Sequence, residues 1–169
     1  ADQILARAGG NPFFVLELLD ALAERGVIAT APGQGGLYRW VKPDAPIAVP
    51  TSIEDLLVTR IDNLPAREKQ VLLAASVVGR TVAAPMLAAM MGASARAELD
   101  ELVRRGLLVA ADGEHRFKND MIMSVAYGLV APDDRTRLHR LVADRIATGP
   151  SYWPGQDDAH IARHLELAG

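Results

Sequence analysis

The most specific stretch of this chain is Gly9-Gly10-Asn11-Pro12-Phe13-Phe14. A glycine turn followed by free N–H groups at a helix N-terminus makes a wall that can lie against a nucleotide. The plainer reading is a helix–turn–helix joint with its cap and two core phenylalanines. His160 and His164 stand at i, i+4 near Asp157 and Asp158, a spacing that could hold a metal on one helix face. With no H-E-x-x-H core and no third ligand at a sensible spacing, that face is expected to pack on a following repeat, and no metal is expected. His139 lies among Arg135, Arg137 and Arg140 and could belong to a basic contact for phosphate or protein. A solvated helix face is the preferred reading, and Asp133-Asp134 are explained as partners of that helix's N-terminal dipole.

Missing residues narrow the chemistry further. The chain has no cysteine, which excludes disulfide scaffolds, thiolate zinc sites and cysteine nucleophiles. No serine sits in a G-x-S-x-G turn, so a serine hydrolase is not supported. There is no G-x-x-x-x-G-K-[ST] loop and no hydrophobic strand ending in the acidic pair that would hold Mg2+. Gly33-Gln34-Gly35-Gly36 lacks the Lys and Ser/Thr that would follow, and reads as a turn. No catalytic residue is assigned, and the chain is not expected to hydrolyse ATP.

Helices have to position the remaining candidates. At 169 residues and 50% hydrophobic content the chain can bury a sizeable core without cross-links. Asn11 suits an N-cap and Pro12 the first helical position, after which Phe13, Phe14, Leu16, Leu18, Leu19 and Leu22 make a broad apolar face that stops at Gly26. Residues 1–8 read as the tail of a preceding helix. Val27–Ala29 and Leu37–Val41 are β-prone and suggest a loose hairpin, followed by a connector kept extended by Pro43, Pro46 and Pro50. Helices are then expected from Thr51, from Pro65 to Gly79, over Pro85–Met91 and over Ser94–Arg105 with Gly106 as its stop. Leu107–Ala110, Asp112-Gly113 and His115–Phe117 form strand, turn and strand. Three helices followed by a β-hairpin is the order of a winged helix. Further helices are expected over Asp120–Val130, over Pro132–Ala147 and from Asp157 or Asp158.

Several of these segments together resemble one family. Gly10-Asn11-Pro12-Phe13-Phe14-Val15, followed by Glu17-Leu18-Leu19 and Leu22, resembles the GNPFF-x-x-ELL signature of the signal-transduction ATPases with numerous domains. These are AAA+-related switches found in LuxR-type regulators, multidomain adenylate cyclases and some bacterial Ser/Thr kinases. Val49-Pro50-Thr51-Ser52-Ile53 with Arg60-Ile61-Asp62-Asn63-Leu64 resembles the family's VPxSI…RIDxL segment, and Val71–Gly79 its VLxxAAVxG helix. Phe117–Ile122 with Val125-Ala126-Tyr127 resembles FRHxLIxxVAY, Arg135…Leu138-His139 resembles R…LH, and Ile161–Glu166 is similar to the helix that opens a tetratricopeptide-like superhelix.

The resemblance implies a mainly α chain: a helical lid piece with a small β-hairpin over residues 1–48, a winged-helix domain over 49–130, and a helical connector with the first helix of a TPR-like repeat over 131–169. It implies that Gly10, Asn11 and Pro12 contact the adenine end of a bound nucleotide. In related switches a winged-helix histidine reads the ADP phosphates; Asn119 stands at that place here and can donate a hydrogen bond but cannot titrate. The implied cofactor is ATP or ADP held by a longer parent, with no tight binding by this chain alone. The implied partners are an upstream ATPase core and downstream helical repeats of the same chain, and other proteins through those repeats. The start at Ala1 and the end at Gly169 directly after a helical pattern read as a piece of a longer protein.

Charge and hydropathy bear on the alternatives. With 18 basic and 21 acidic residues the formal net charge is −3, which argues against binding nucleic acid through bulk charge. The expected third helix carries Arg96, Glu98, Asp100, Glu101, Arg104 and Arg105, whose charges nearly cancel, whereas a major-groove reader needs a basic or amide face. Nucleic acid is therefore not an expected partner. A DNA-binding regulator and a non-catalytic interaction adaptor remain the rival readings. No apolar run approaches the ~20 residues of a membrane span, and the cytoplasm is the expected compartment.

Overall fold

In the computed structural model, which describes residues 11–30, 38–42, 50–111, 113–150, 152 and 155–169, helix α1 (Pro12–Glu24) starts where the Phe13 N–H donates to Asn11 Oδ1 at 3.0 Å. The expected helix over residues 1–8, Gly10, the 31–37 link and most of the proline connector lie outside the described residues. Helix α1 ends where Gly26, at φ +64°, takes the left-handed conformation that a side chain disfavours. The Gly26 N–H then donates to Ala23 O at 2.9 Å and the Val27 N–H to Leu22 O at 2.9 Å, the paired bonds of a Schellman stop. Strands β1 (Ile28–Thr30) and β2 (Tyr38–Trp40) follow, paired antiparallel with Ile28 opposite Trp40. Helix α2 (Ile53–Asp62) is opened by Ser52, whose Oγ accepts from the Asp55 N–H at 3.0 Å.

The backbone divides into two compact units, Ala1–Arg60 and Ile61–Gly169. The first is built on Phe14, Leu18 and Leu22 of α1, Val27, Ile28, and Leu56 of α2, with Val15, Leu19 and Ile53 packed against them. Each fully buried Leu, Ile or Phe contributes about 1.5–3 kcal/mol relative to exposure. A cluster this small therefore depends on every large member.

The second unit runs α3 (Ala66–Val78), β3 (Thr81–Ala83), α4 (Ala84–Met91), α5 (Ala95–Arg104), β4 (Leu108–Ala111), β5 (Glu114–Phe117), α6 (Asp120–Gly128), α7 (Pro132–Thr148) and α8 (Asp157–Ala168). The three strands form one antiparallel sheet in the order β3-β5-β4. Helix, strand, two helices and a hairpin whose second strand lies centrally is the winged-helix topology expected from the sequence, with β3 added. Helix α5 repeats the stop of α1: Gly106 sits at φ +69° and the Leu107 N–H donates to Leu102 O at 3.0 Å. That stop turns the chain directly into β4. Leu72 of α3, Leu87 of α4, Leu99 and Leu102 of α5 and Ile122 of α6 are all 0% exposed and close the core against the sheet.

Helices α7 and α8 pack along each other more extensively than any other pair of elements. Val142 and Ile146 of α7 are buried as expected, while Leu138 and Leu141 are half-buried. His139 corrects the sequence reading: instead of lying on a solvated face it is 1% exposed, because α8 covers that side of α7. Among the described residues the chain is mainly helical with small antiparallel sheets, and no helix is long and apolar enough to cross a membrane.

Candidate functional site

Asn11 and Pro12 are both exposed, while Phe14 behind them is buried at 4%. The helix therefore anchors the corner through one phenylalanine and leaves its head open. Proline at the first position removes a donor that would have no helical partner. Helix α1 has no acidic residue in its first turn, unlike α2, α3, α5, α6, α7 and α8. Its own first turn thus supplies no counter-charge to the positive end of its dipole.

Asn119 belongs to the second unit and caps α6, its Oδ1 accepting from the Ile122 N–H at 2.9 Å. Its Nδ2 is shielded from solvent and has no hydrogen-bond partner among the described residues. The acceptor end of the side chain is thus committed to the helix, while the donor end is not. Next to it, Asp120 pairs with Arg80. Asn119→Ala is expected to cost about 1 kcal/mol and Asn11→Ala, an exposed cap, about 0.5 kcal/mol. Urea denaturation followed by amide exchange in each helix gives both values; the reverse order would mean that α6 does not rely on its cap.

A group that sequence reasoning missed joins two of the motifs above. Glu17 of α1 is 0% exposed and forms an ion pair with Arg60 of α2, itself 4% exposed. Arg60 Nη2 also donates to Glu24 Oε1 at 2.6 Å and Nε to Glu24 Oε2 at 3.3 Å. Burial works against the Arg60 charge, but the hydrogen bonds and charge of Glu24, with the charges of Glu17 and Asp20, outweigh it and hold the guanidinium above its ordinary range. The signal available in the sequence was a Glu on the apolar face of α1, where a carboxylate needs a partner.

On α5 the charges of a possible major-groove face are largely spent on neighbours. Glu101 pairs with Arg104, Arg105 Nε donates to Glu68 at 2.7 Å, and Glu98 lies 3.8 Å from Arg67. A cavity of about 560 Å³ in the second unit is lined by Leu73, Met90, Met91, Leu138 and Leu141 among others. Its two cations, Lys69 and Arg137, are paired with Asp62 and Asp134, each at 2.7 Å. Asn119 does not line it. Among the described residues no three His, Cys, Asp or Glu side chains are grouped to hold a metal ion. Comparison with protein-family models, curated proteins and solved structures finds no match.

Proposed function

We propose that the chain is the lid and winged-helix region of a multidomain signal-transduction ATPase of the family it resembles, controlling transcription, cyclase or kinase output. ATP or ADP would be bound mainly by an upstream core of the parent, and this chain would respond to it rather than hydrolyse it. The observation that carries the reading is the open corner at Asn11 and Pro12, backed by buried Phe14 and with no acidic residue in the first turn of α1. The winged-helix topology of the second unit supports it. Gly10 enters only through the resemblance.

In this reading the adenine end of the nucleotide rests on Gly10, Asn11 and Pro12. The Glu17–Arg60 pair then makes α1 and α2 move as one body, so a shift at Asn11 reaches the far helix of the same unit. A nucleotide switches the protein only if it favours one lid arrangement over the other. Asn119 Nδ2 is the donor assigned to a phosphate oxygen, and its shielding means that α6 must shift for the contact to form. The α7–α8 pair would be the start of the repeat array that carries the output to protein partners.

The test is titration of the longer parent with ATP and ADP, with and without Pro12→Ala and Asn119→Asp. Each variant is expected to weaken one or both nucleotides by about tenfold, equivalent to ~1.4 kcal/mol. Unchanged affinities in both would discard the reading. The rival DNA-binding regulator is disfavoured by the paired charges of α5, and the expected result of a gel shift near physiological salt is no complex.

A further inference from the structure

His139 of α7 and His164 of α8 are each 1% exposed, and their Nδ1 atoms lie 2.8 Å apart. That separation is a hydrogen bond with room for a single proton, since one Nδ1 must donate and the other accept. On the opposite side of the His139 ring, Nε2 lies 3.0 Å from the Tyr127 hydroxyl of α6. When Tyr127 donates to His139 Nε2, His139 donates through Nδ1 to His164 Nδ1, and the remaining proton sits on His164 Nε2. This last nitrogen is buried and makes no hydrogen bond among the described residues. The Val78 carbonyl at the end of α3 acts on His164 and favours its charged form, but not at bonding geometry.

We propose that Tyr127, His139 and His164 form a proton-operated latch that holds α8 on α7 while both rings are neutral and releases it when they take up protons. The mechanism follows from the geometry. Protonating both rings would bring two N–H groups face to face across the 2.8 Å gap, which has no solution without separating the helices. Where Tyr127 donates, one added proton can be hosted only by turning its hydroxyl from donor to acceptor. In the reverse arrangement, with His164 Nδ1 donating to His139 and Tyr127 accepting, the proton goes to the buried His164 Nε2 and makes a charge with no hydrogen-bond partner among the described residues.

The surroundings oppose even that. Arg135 of α7 lies over the Tyr127 ring at 4.4 Å from its centroid, and on α8 the charge of Arg163 acts on both histidines and that of His160 on His164. Burial, then His139, Arg163 and His160, push His164 down to about 4. Burial, then Arg163 and Arg135, lower His139 below its ordinary value. A histidine that titrates lower when packed than when released binds fewer protons in the packed state. The latch is therefore fully effective above the ordinary histidine range and fails as pH falls through it towards about 4. The device does not depend on the nucleotide reading.

The test uses the whole chain. Imidazole nitrogen NMR is recorded between about pH 7 and about pH 4.5, with amide hydrogen exchange of α8 measured against α5 as an internal reference. At the upper pH both rings are expected neutral, with one Nδ1 protonated and its partner bare. On acidification α8 amides should exchange at least about tenfold faster than those of α5 after correction for the intrinsic rate. In His164→Gln, which can still hydrogen-bond but does not titrate, the change should fall below about threefold. Rings that titrate near the ordinary value while α8 stays protected would overturn the proposal, as would an equal acid response in His164→Gln. Should that variant not fold, the titration of the two native rings decides alone.

Discussion

Arg60→Ala is expected to destabilise the first unit by about 3–5 kcal/mol, because it leaves a carboxylate in a buried site without its guanidinium. Glu17 is 0% exposed and Arg60 4%, so water cannot replace the lost partner without opening α1 from α2. Glu24 loses both bonds from Arg60 as well, but at 24% side-chain exposure it can be rehydrated at lower cost. The same residue pair replaced together by apolar side chains, Glu17→Leu with Arg60→Met, should lose far less, since no desolvated charge is left behind. Amide exchange in α1 with increasing urea separates the two outcomes within this unit, where a single global unfolding curve need not describe both units. Equal losses in the single and double variants would mean that the ion pair itself, and not the burial of an unpaired charge, holds the helices together. Breaking the exposed Arg137–Asp134 pair, with side chains 69% and 55% exposed, is the control and should cost under about 1 kcal/mol.

The Glu17–Arg60 pair also shows where the sequence stops being legible. Helix ends could be read because their signals are local: Asn11 with Pro12 opens α1, and Gly26 and Gly106 close α1 and α5 through backbone geometry that the neighbouring residues alone determine. The β4–β5 hairpin was readable for the same reason. Strand β3 was not, since Thr81-Val82-Ala83 lies between two helices and is too short to show a period; β5 makes it a strand by pairing with it. Glu17 and Arg60 were each visible as parts of separate motifs, but their pairing depends on how α1 meets α2. The burial of His139 is not legible, because the apolar stripe of α7 runs through Leu138, Leu141, Val142 and Ile146 without it. A neutral histidine buried against a second histidine leaves no mark in that pattern. At the candidate site the exposure of Asn11 and Pro12 could be anticipated from their capping role. The commitment of Asn119 Oδ1 to the α6 cap is equally legible, as an amide before an apolar run.

Phe117→Ala is expected to cost the second unit about 3–5 kcal/mol, the range for emptying a well-packed aromatic site. The strand that carries it lies in the middle of the sheet, so its neighbours cannot collapse from one side. Phe117 is 2% exposed and stands opposite Leu108, 1% exposed, on β4, while its N–H donates to Arg80 O at 3.1 Å across to the segment leading into β3. The substitution keeps that backbone bond and removes only the ring, so the measured loss reports packing. Val109→Ala, on the adjacent strand but 39% exposed, should change stability by less than about 0.5 kcal/mol. Thermal unfolding of the two variants, with amide exchange of β5 as the local readout, tests the difference. The result also bears on Asn119. Phe117 fixes the end of β5 two residues before the α6 cap, so loosening it should expose Asn119 Nδ2 to solvent while Asn119 itself is unchanged. A parent protein carrying Phe117→Ala that stays folded and binds a nucleotide phosphate more tightly would identify the shielding of that amide as the barrier the lid must overcome.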